Sequence, residues 1–223
     1  MTEDEFRIWT GPGDYVDSDH PAVIAFARDV AGAAATPRER ARLIYRAVRE
    51  LFYDPYVTWG PEVFRASSVL AAGRGYCVGK ASLMAAACRA AGVPARVAFA
   101  DVTNHLATPQ LLERMGSNIF YWHGFTEVNP EGRWIKVSPT FNASLCDKLG
   151  VEPLEFDGEH DALMQAFDGA GNAFMAYLAQ HGAFHDVPAK HIMAEMALRY
   201  PKPLTRDGVK PDMETEAAAL AAG

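Results

Sequence analysis

The sequence has 223 residues, 49% of them apolar and 22% charged, with 21 basic against 28 acidic side chains and a net charge of −7. That composition excludes a disordered chain, and an acidic balance without a Lys/Arg run excludes a surface that tracks phosphates. The length fits one embellished domain, placed at residues 1–200 with a C-terminal tail over 201–223.

The first residues, Met1 to Trp9, are acidic and carry no apolar segment of the kind a secretory signal needs. No stretch approaches the roughly 18 apolar residues of a membrane span. Cys77, Cys88 and Cys146 are an odd count without paired spacing, which fits a reducing compartment rather than a disulfide framework. The expectation is a cytoplasmic protein with neither nucleic acid nor membrane as partner, and of unknown oligomeric state.

A helix is predicted from Pro21 to Gly32, where Val23, Phe26, Ala27 and Val30 recur at helical spacing. The next helix opens on Thr36-Pro37-Arg38-Glu39: a capping hydroxyl, a first-turn proline and a glutamate three residues after the cap. Its Ala41, Ile44, Tyr45, Val48 and Phe52 form one apolar stripe. Arg38, Arg40, Arg42, Arg46 and Arg49, mixed with Glu39 and Glu50, read as its solvated face. A structured loop follows from Tyr53 to Phe64, then a short helix around Ser67 to Ala72. The turn Gly73-Arg74-Gly75 leads into a long helix from Cys77, ended by Gly92-Val93-Pro94. Strands are predicted at Ala95 to Val102, Phe120 to Val128 and Arg133 to Val137, the last two joined by the turn Asn129-Pro130-Glu131-Gly132. After Pro139 the chain reads as irregular, up to a helix from Ala189 to Tyr200.

Chemistry concentrates at Gly73-Arg74-Gly75-Tyr76-Cys77. A cysteine at a helix start meets unpaired amides and the positive end of the dipole, which favour thiolate and can hold an oxyanion. The plain alternative is a cysteine that only packs. Cys88 lies eleven residues on, roughly 16 Å along the axis at about 1.5 Å per residue, too far to share a site with Cys77. Cys88 reads as core, and Cys146 as a loop residue.

A thiolate needs a base, and His123 sits in a predicted strand beside Gly124, which leaves room for its ring. The other histidines are His20, His105, His160, His181 and His185, mostly in segments read as loops, and His191, in a helix read as surface. With a four-residue turn at Asn129–Gly132, Val128 would face Arg133 and His123 would face Ser138. Position 138 is where an acid orienting His123 is expected.

Gly75-Tyr76-Cys77 opening a helix, His123 with Glu127 in a strand, and Trp134-Ile135-Lys136-Val137-Ser138-Pro139-Thr140 together resemble the transglutaminase-like superfamily. Arg49-Glu50-Leu51-Phe52-Tyr53-Asp54 and Gly92-Val93-Pro94-Ala95-Arg96-Val97 extend the resemblance to about residues 20–142. It implies an α+β, papain-like core with N-terminal helices on an antiparallel sheet, and a Cys-His-Asp triad. The family's aspartate falls at Ser138, which carries no charge to stabilise an imidazolium. Asn142, Asp161 or Asp157 could supply the third partner, with Asp157 favoured because it lies between an aromatic and a glycine. Glu127 shares the His123 face but lies about 7 Å along the strand. Tyr56, Trp59 and Phe64 are candidates for walls of a substrate cleft.

The expected activity is acyl transfer by Cys77 and His123 on a protein, peptide or small amide, with hydrolysis as in a cysteine protease favoured over transfer to an amine as in a transglutaminase. No cofactor is expected. The alternative is a non-catalytic peptide- or protein-binding module on the same fold. A zinc site at Cys77 and His123 would lack any closely spaced ligand pair.

Overall fold

The computed structural model describes residues 1–56, 60–105, 107–164, 175–202 and 212–221. Three helices come first: α1 (Glu3–Thr10), α2 (Pro21–Ala31) and α3 (Pro37–Arg49). A short parallel pair, β1 (Phe52–Tyr53) and β2 (Arg74–Gly75), brackets a 3₁₀ turn at Pro61–Phe64 and α4 (Ala66–Ala72). Next come α5 (Cys77–Ala90), β3 (Ala95–Asn104), α6 (Pro109–Met115), β4 (Ile119–Val128), β5 (Ile135–Val137) and α7 (Ala143–Leu149). β6 (Met175–Phe184), α8 (Ala189–Arg199) and α9 (Met213–Ala221) complete the described elements.

The architecture is α+β. An antiparallel sheet of order β5-β4-β3-β6 carries the N-terminal helices through α5. That helix is buried on every side from Cys77 to Arg89. Its small residues let α2, α3 and α4 approach one flank while β3 and β4 approach the other. A helix buried all round shows no amphipathic stripe, and its alanines give close approach instead. Its two cations are satisfied by carbonyls: Arg89 donates to Ala95 O at 2.9 Å and Gly11 O at 2.8 Å, and Lys80 donates to three others described below.

α3 starts as expected. The Thr36 hydroxyl accepts from the Glu39 amide at 3.1 Å, and the Glu39 carboxylate accepts from the Ala35 amide at 3.1 Å. Its basic face is not all solvated, however. Arg49 is buried, donating to Glu155 Oε1 at 2.6 Å and Leu154 O at 3.0 Å, and Arg38 bonds Glu131 and Glu159.

The expected hairpin needs one correction. β4 and β5 pair Val128 with Ile135 and Thr126 with Val137, so six residues rather than four form the turn. Trp134 is drawn out of the strand: its ring lies edge-on to Trp9 at 5.6 Å and under the Arg96 guanidinium at 4.1 Å. The register shifts by two. Carried on, it sets Ser138 across from Phe125 and Thr140 across from His123, although the ladder stops at Val137.

The region read as irregular holds α7 and β6, and Cys146 lies buried in α7 rather than in a loop. β6 is poor in β-branched residues and carries two bulges against β3, so neither alternation nor propensity marks it. α1 and α6 were likewise unmarked by long apolar periodicity. Among the described residues no helix is long and apolar enough to cross a membrane.

Candidate active site

The turn before Cys77 is shaped by Gly73, whose left-handed backbone (φ +64°) caps α4. Tyr76 follows in extended conformation as the N-cap of α5 and makes no side-chain cap bond. The first amides of α5 are therefore free for something else, and that is the Cys77 sulphur. The amides of Gly124, Val78 and Cys77 itself all favour its thiolate over its thiol. Gly124 reaches it because β5 has already left the edge of β4, with its last pair at Val137 and Thr126. The approach is close: a Cβ at Gly124 would stand 2.7 Å from Val78 Cα. Glycine is required at this position by space, not by backbone angle.

The structure thus sets the nucleophile candidate against the residue that follows His123. Both groups are almost fully enclosed, Cys77 at 5% and His123 at 3% exposure. Burial pushes the Cys77 thiol up to about 11, opposed by the three amides. Burial pulls the His123 imidazole down to about 4. At neutral pH Cys77 is a thiol and His123 a neutral imidazole. His123 Nε2 is buried without a hydrogen-bond partner, as is the Tyr76 hydroxyl. An unsatisfied buried polar atom costs roughly 1–3 kcal/mol, which a bond to substrate or water would recover. Tyr53 and Tyr76 are held well above the usual phenol range, by burial first and by the neighbouring Cys77 charge second.

The candidate third partners lie elsewhere. Asp157 is largely exposed: its carboxylate accepts from the amides of Glu159 and His160, at 2.7 and 2.8 Å, and from His160 Nδ1 at 2.7 Å. The His160 contact leads in holding it well below the usual carboxylate range. This is an aspartate folded into its own turn and not brought to His123. Asp161 accepts from the Lys136 amide at 2.9 Å, and Glu127 from Arg96 at 2.6 Å. Asn142 accepts from the Tyr53 amide at 3.0 Å and donates to Ser144 and Glu214. The Ser138 hydroxyl pairs with that of Thr140 at 2.9 Å.

Of the aromatic candidates, Tyr56 is buried and donates to Glu216 of α9 at 3.1 Å, and Phe64 packs edge-on to Tyr76 at 6.0 Å. Trp59 lies outside the described residues. Cys88 is fully buried, its thiol pushed far up by that burial. No group of three or more His, Cys, Asp or Glu side chains among the described residues could hold a metal ion.

Immediately before His123 the backbone is strained. Trp122 has φ +57°, the one non-glycine residue with positive φ among the described residues. In an interior strand position this costs roughly 1–3 kcal/mol and persists only where neighbours enforce it. Nothing in the local sequence marks it, because the neighbours that enforce it come from β3, β6 and α8.

The model of the transglutaminase-like superfamily matches residues 24–139. No curated protein matches the chain. Among solved structures, a "putative cysteine protease" from Cytophaga hutchinsonii is 18% identical, with 82% of this chain and 55% of that one covered at a TM-score of 0.49. The periplasmic domain of TgpA from Pseudomonas aeruginosa is 25% identical, with 62% and 48% covered at 0.44. The chain spans only about half the length of these two. The helical layer, the antiparallel sheet and the family match agree: the chain belongs to the transglutaminase-like superfamily, and its core is transglutaminase-like and papain-like.

Proposed function

We propose that this chain is a cysteine-dependent acyl-transfer enzyme that hydrolyses amide bonds in a protein, peptide or small amide. The observation that carries the reading is the Cys77 sulphur at the start of α5, packed against the residue after His123 (a Cβ at Gly124 would stand 2.7 Å from Val78 Cα), where the amides of Cys77, Val78 and Gly124 favour its thiolate. In the first half-reaction the sulphur attacks the carbonyl carbon as its proton passes to His123. The amides around the sulphur are placed to take the oxyanion. The C–N bond breaks, His123 returns the proton to the leaving amine, and a thioester remains. Water, deprotonated by His123, then attacks the thioester and frees the thiol.

Ser138 and the unpartnered Nε2 support the second reading, a binding module on the same fold. Treatment with p-nitrophenyl acetate followed by peptide mass spectrometry separates the two. The enzyme reading predicts a stoichiometric acetyl adduct on Cys77 that turns over in water, and no adduct in Cys77→Ser. A wild-type protein left unmodified, or modified equally on Cys88 and Cys146, overturns it.

A further inference from the structure

We infer that Asp101 is a positioning residue for His123, acting through the strained Trp122 peptide that directly precedes it. The inference rests on His123 being the base.

The register supplies the starting point. β3 and β4 pair Ala100 with His123 and Val102 with Phe120, so Tyr121 and Trp122 together oppose Asp101 alone. This is a two-against-one β-bulge, the device by which a strand re-aims the side chain that follows it. A bulge leaves amides without ladder partners, and here both find side chains. The Tyr121 amide donates to the Tyr200 hydroxyl oxygen at 2.9 Å, and the Trp122 amide to Asp101 Oδ1 at 3.0 Å.

The same carboxylate oxygen bonds His181 Nε2 at 2.7 Å. His181 is itself an extra residue in β6, between Gln180 paired with Ala100 and Gly182 paired with Phe99. Its ring lies flat on the Trp122 indole, centroids 4.3 Å apart and planes 7° apart, while His191 of α8 meets the indole edge-on at 4.8 Å. One carboxylate therefore ties the strained peptide and the ring that clamps its side chain. His123 follows directly, and no acid of its own orients it at Nε2.

The test compares single-turnover acylation of Cys77 by p-nitrophenyl acetate in Asp101→Ala, Asp101→Asn and Trp122→Gly variants. In this step the S–C bond forms, p-nitrophenolate leaves, and the thiol proton passes to His123. Asp101→Ala is expected to slow acylation by about 30-fold or more, with half-saturation unchanged within about twofold, since the base is mis-aimed while binding is kept. Asp101→Asn keeps an oxygen for the Trp122 amide and is expected to recover most of the rate. Glycine takes a left-handed backbone freely, so adding Asp101→Ala to Trp122→Gly is expected to cost little more than Trp122→Gly alone. A wild-type rate in Asp101→Ala, or no rescue by asparagine, overturns the inference. If wild-type protein is not acylated at all, the function fails by itself. The Asp101 claim is then read from the ¹⁵N shifts of the His123 ring: moved in Asp101→Ala they support it, and unmoved they overturn it.

Discussion

Lys80 lies one turn beyond Cys77 and is fully buried. Its ammonium donates to Arg49 O at 2.9 Å, Leu51 O at 2.7 Å and Thr140 O at 2.7 Å. It therefore ties the end of α3, the approach to β1 and the segment after β5 to α5. Burial pulls the amine from 10.5 down to about 7, opposed chiefly by the nearby Glu50 charge. The depressed value means that the folded protein binds fewer protons than the unfolded chain between about pH 7 and 10.5, so Lys80 adds stability as pH rises through that window. Lys80→Met strands three carbonyls and should cost about 3–5 kcal/mol. Urea denaturation should show the gap to wild type widening from pH 7 to pH 10, and a gap that narrows contradicts the assignment. Single residues differ in how far they can be read ahead. The place of Cys77 at a helix start was legible because it follows from its own neighbours, the glycine turn before it and the helix after it. Lys80, Asp101 and His181 were not, since their partners come from distant segments.

Two elements, α5 and β4, make the site by touching. Thr126 donates to Ala81 O at 2.9 Å, and Gly124 lies where a Cβ would meet Val78 Cα at 2.7 Å. Gly124→Ala keeps an allowed backbone but forces the strand and the helix start apart. It should destabilise by about 1–3 kcal/mol, as overpacking does, and slow Cys77 acylation at least tenfold through misplacement. Acylation at the wild-type rate would show that the contact does not set the geometry. The helices and β3, β4 were legible from periodicity, caps and aromatic runs. The β5 register was not, because Trp134 leaves the strand for Trp9 and Arg96, a preference that no local pattern carries. β6 was hidden by its two bulges and its alanines.

Across the molecule, the helical layer encloses α5 so that its N-terminus meets the sheet where β5 ends. The sequence motifs pointed to this meeting, with Cys77 from the helical half and His123 from the sheet half. Distant parts then seal it: Tyr56 reaches Glu216 of α9, and Tyr200, at the end of α8, accepts from Tyr121 beside the strained residue. Such closure leaves Cys77 a neutral thiol and His123 a neutral imidazole, so in the proposed reaction a proton must move as the sulphur attacks. The most direct test is the rate of Cys77 acylation by p-nitrophenyl acetate from pH 4 to 11, in wild type and in His123→Ala. With the imidazole pulled to about 4 and the thiol pushed to about 11, the wild-type rate should lose its acid limb by about pH 5. The His123→Ala rate should lie about 10²–10⁴-fold lower at pH 7 and converge only towards pH 11. Superimposed curves would contradict the pairing of Cys77 with His123.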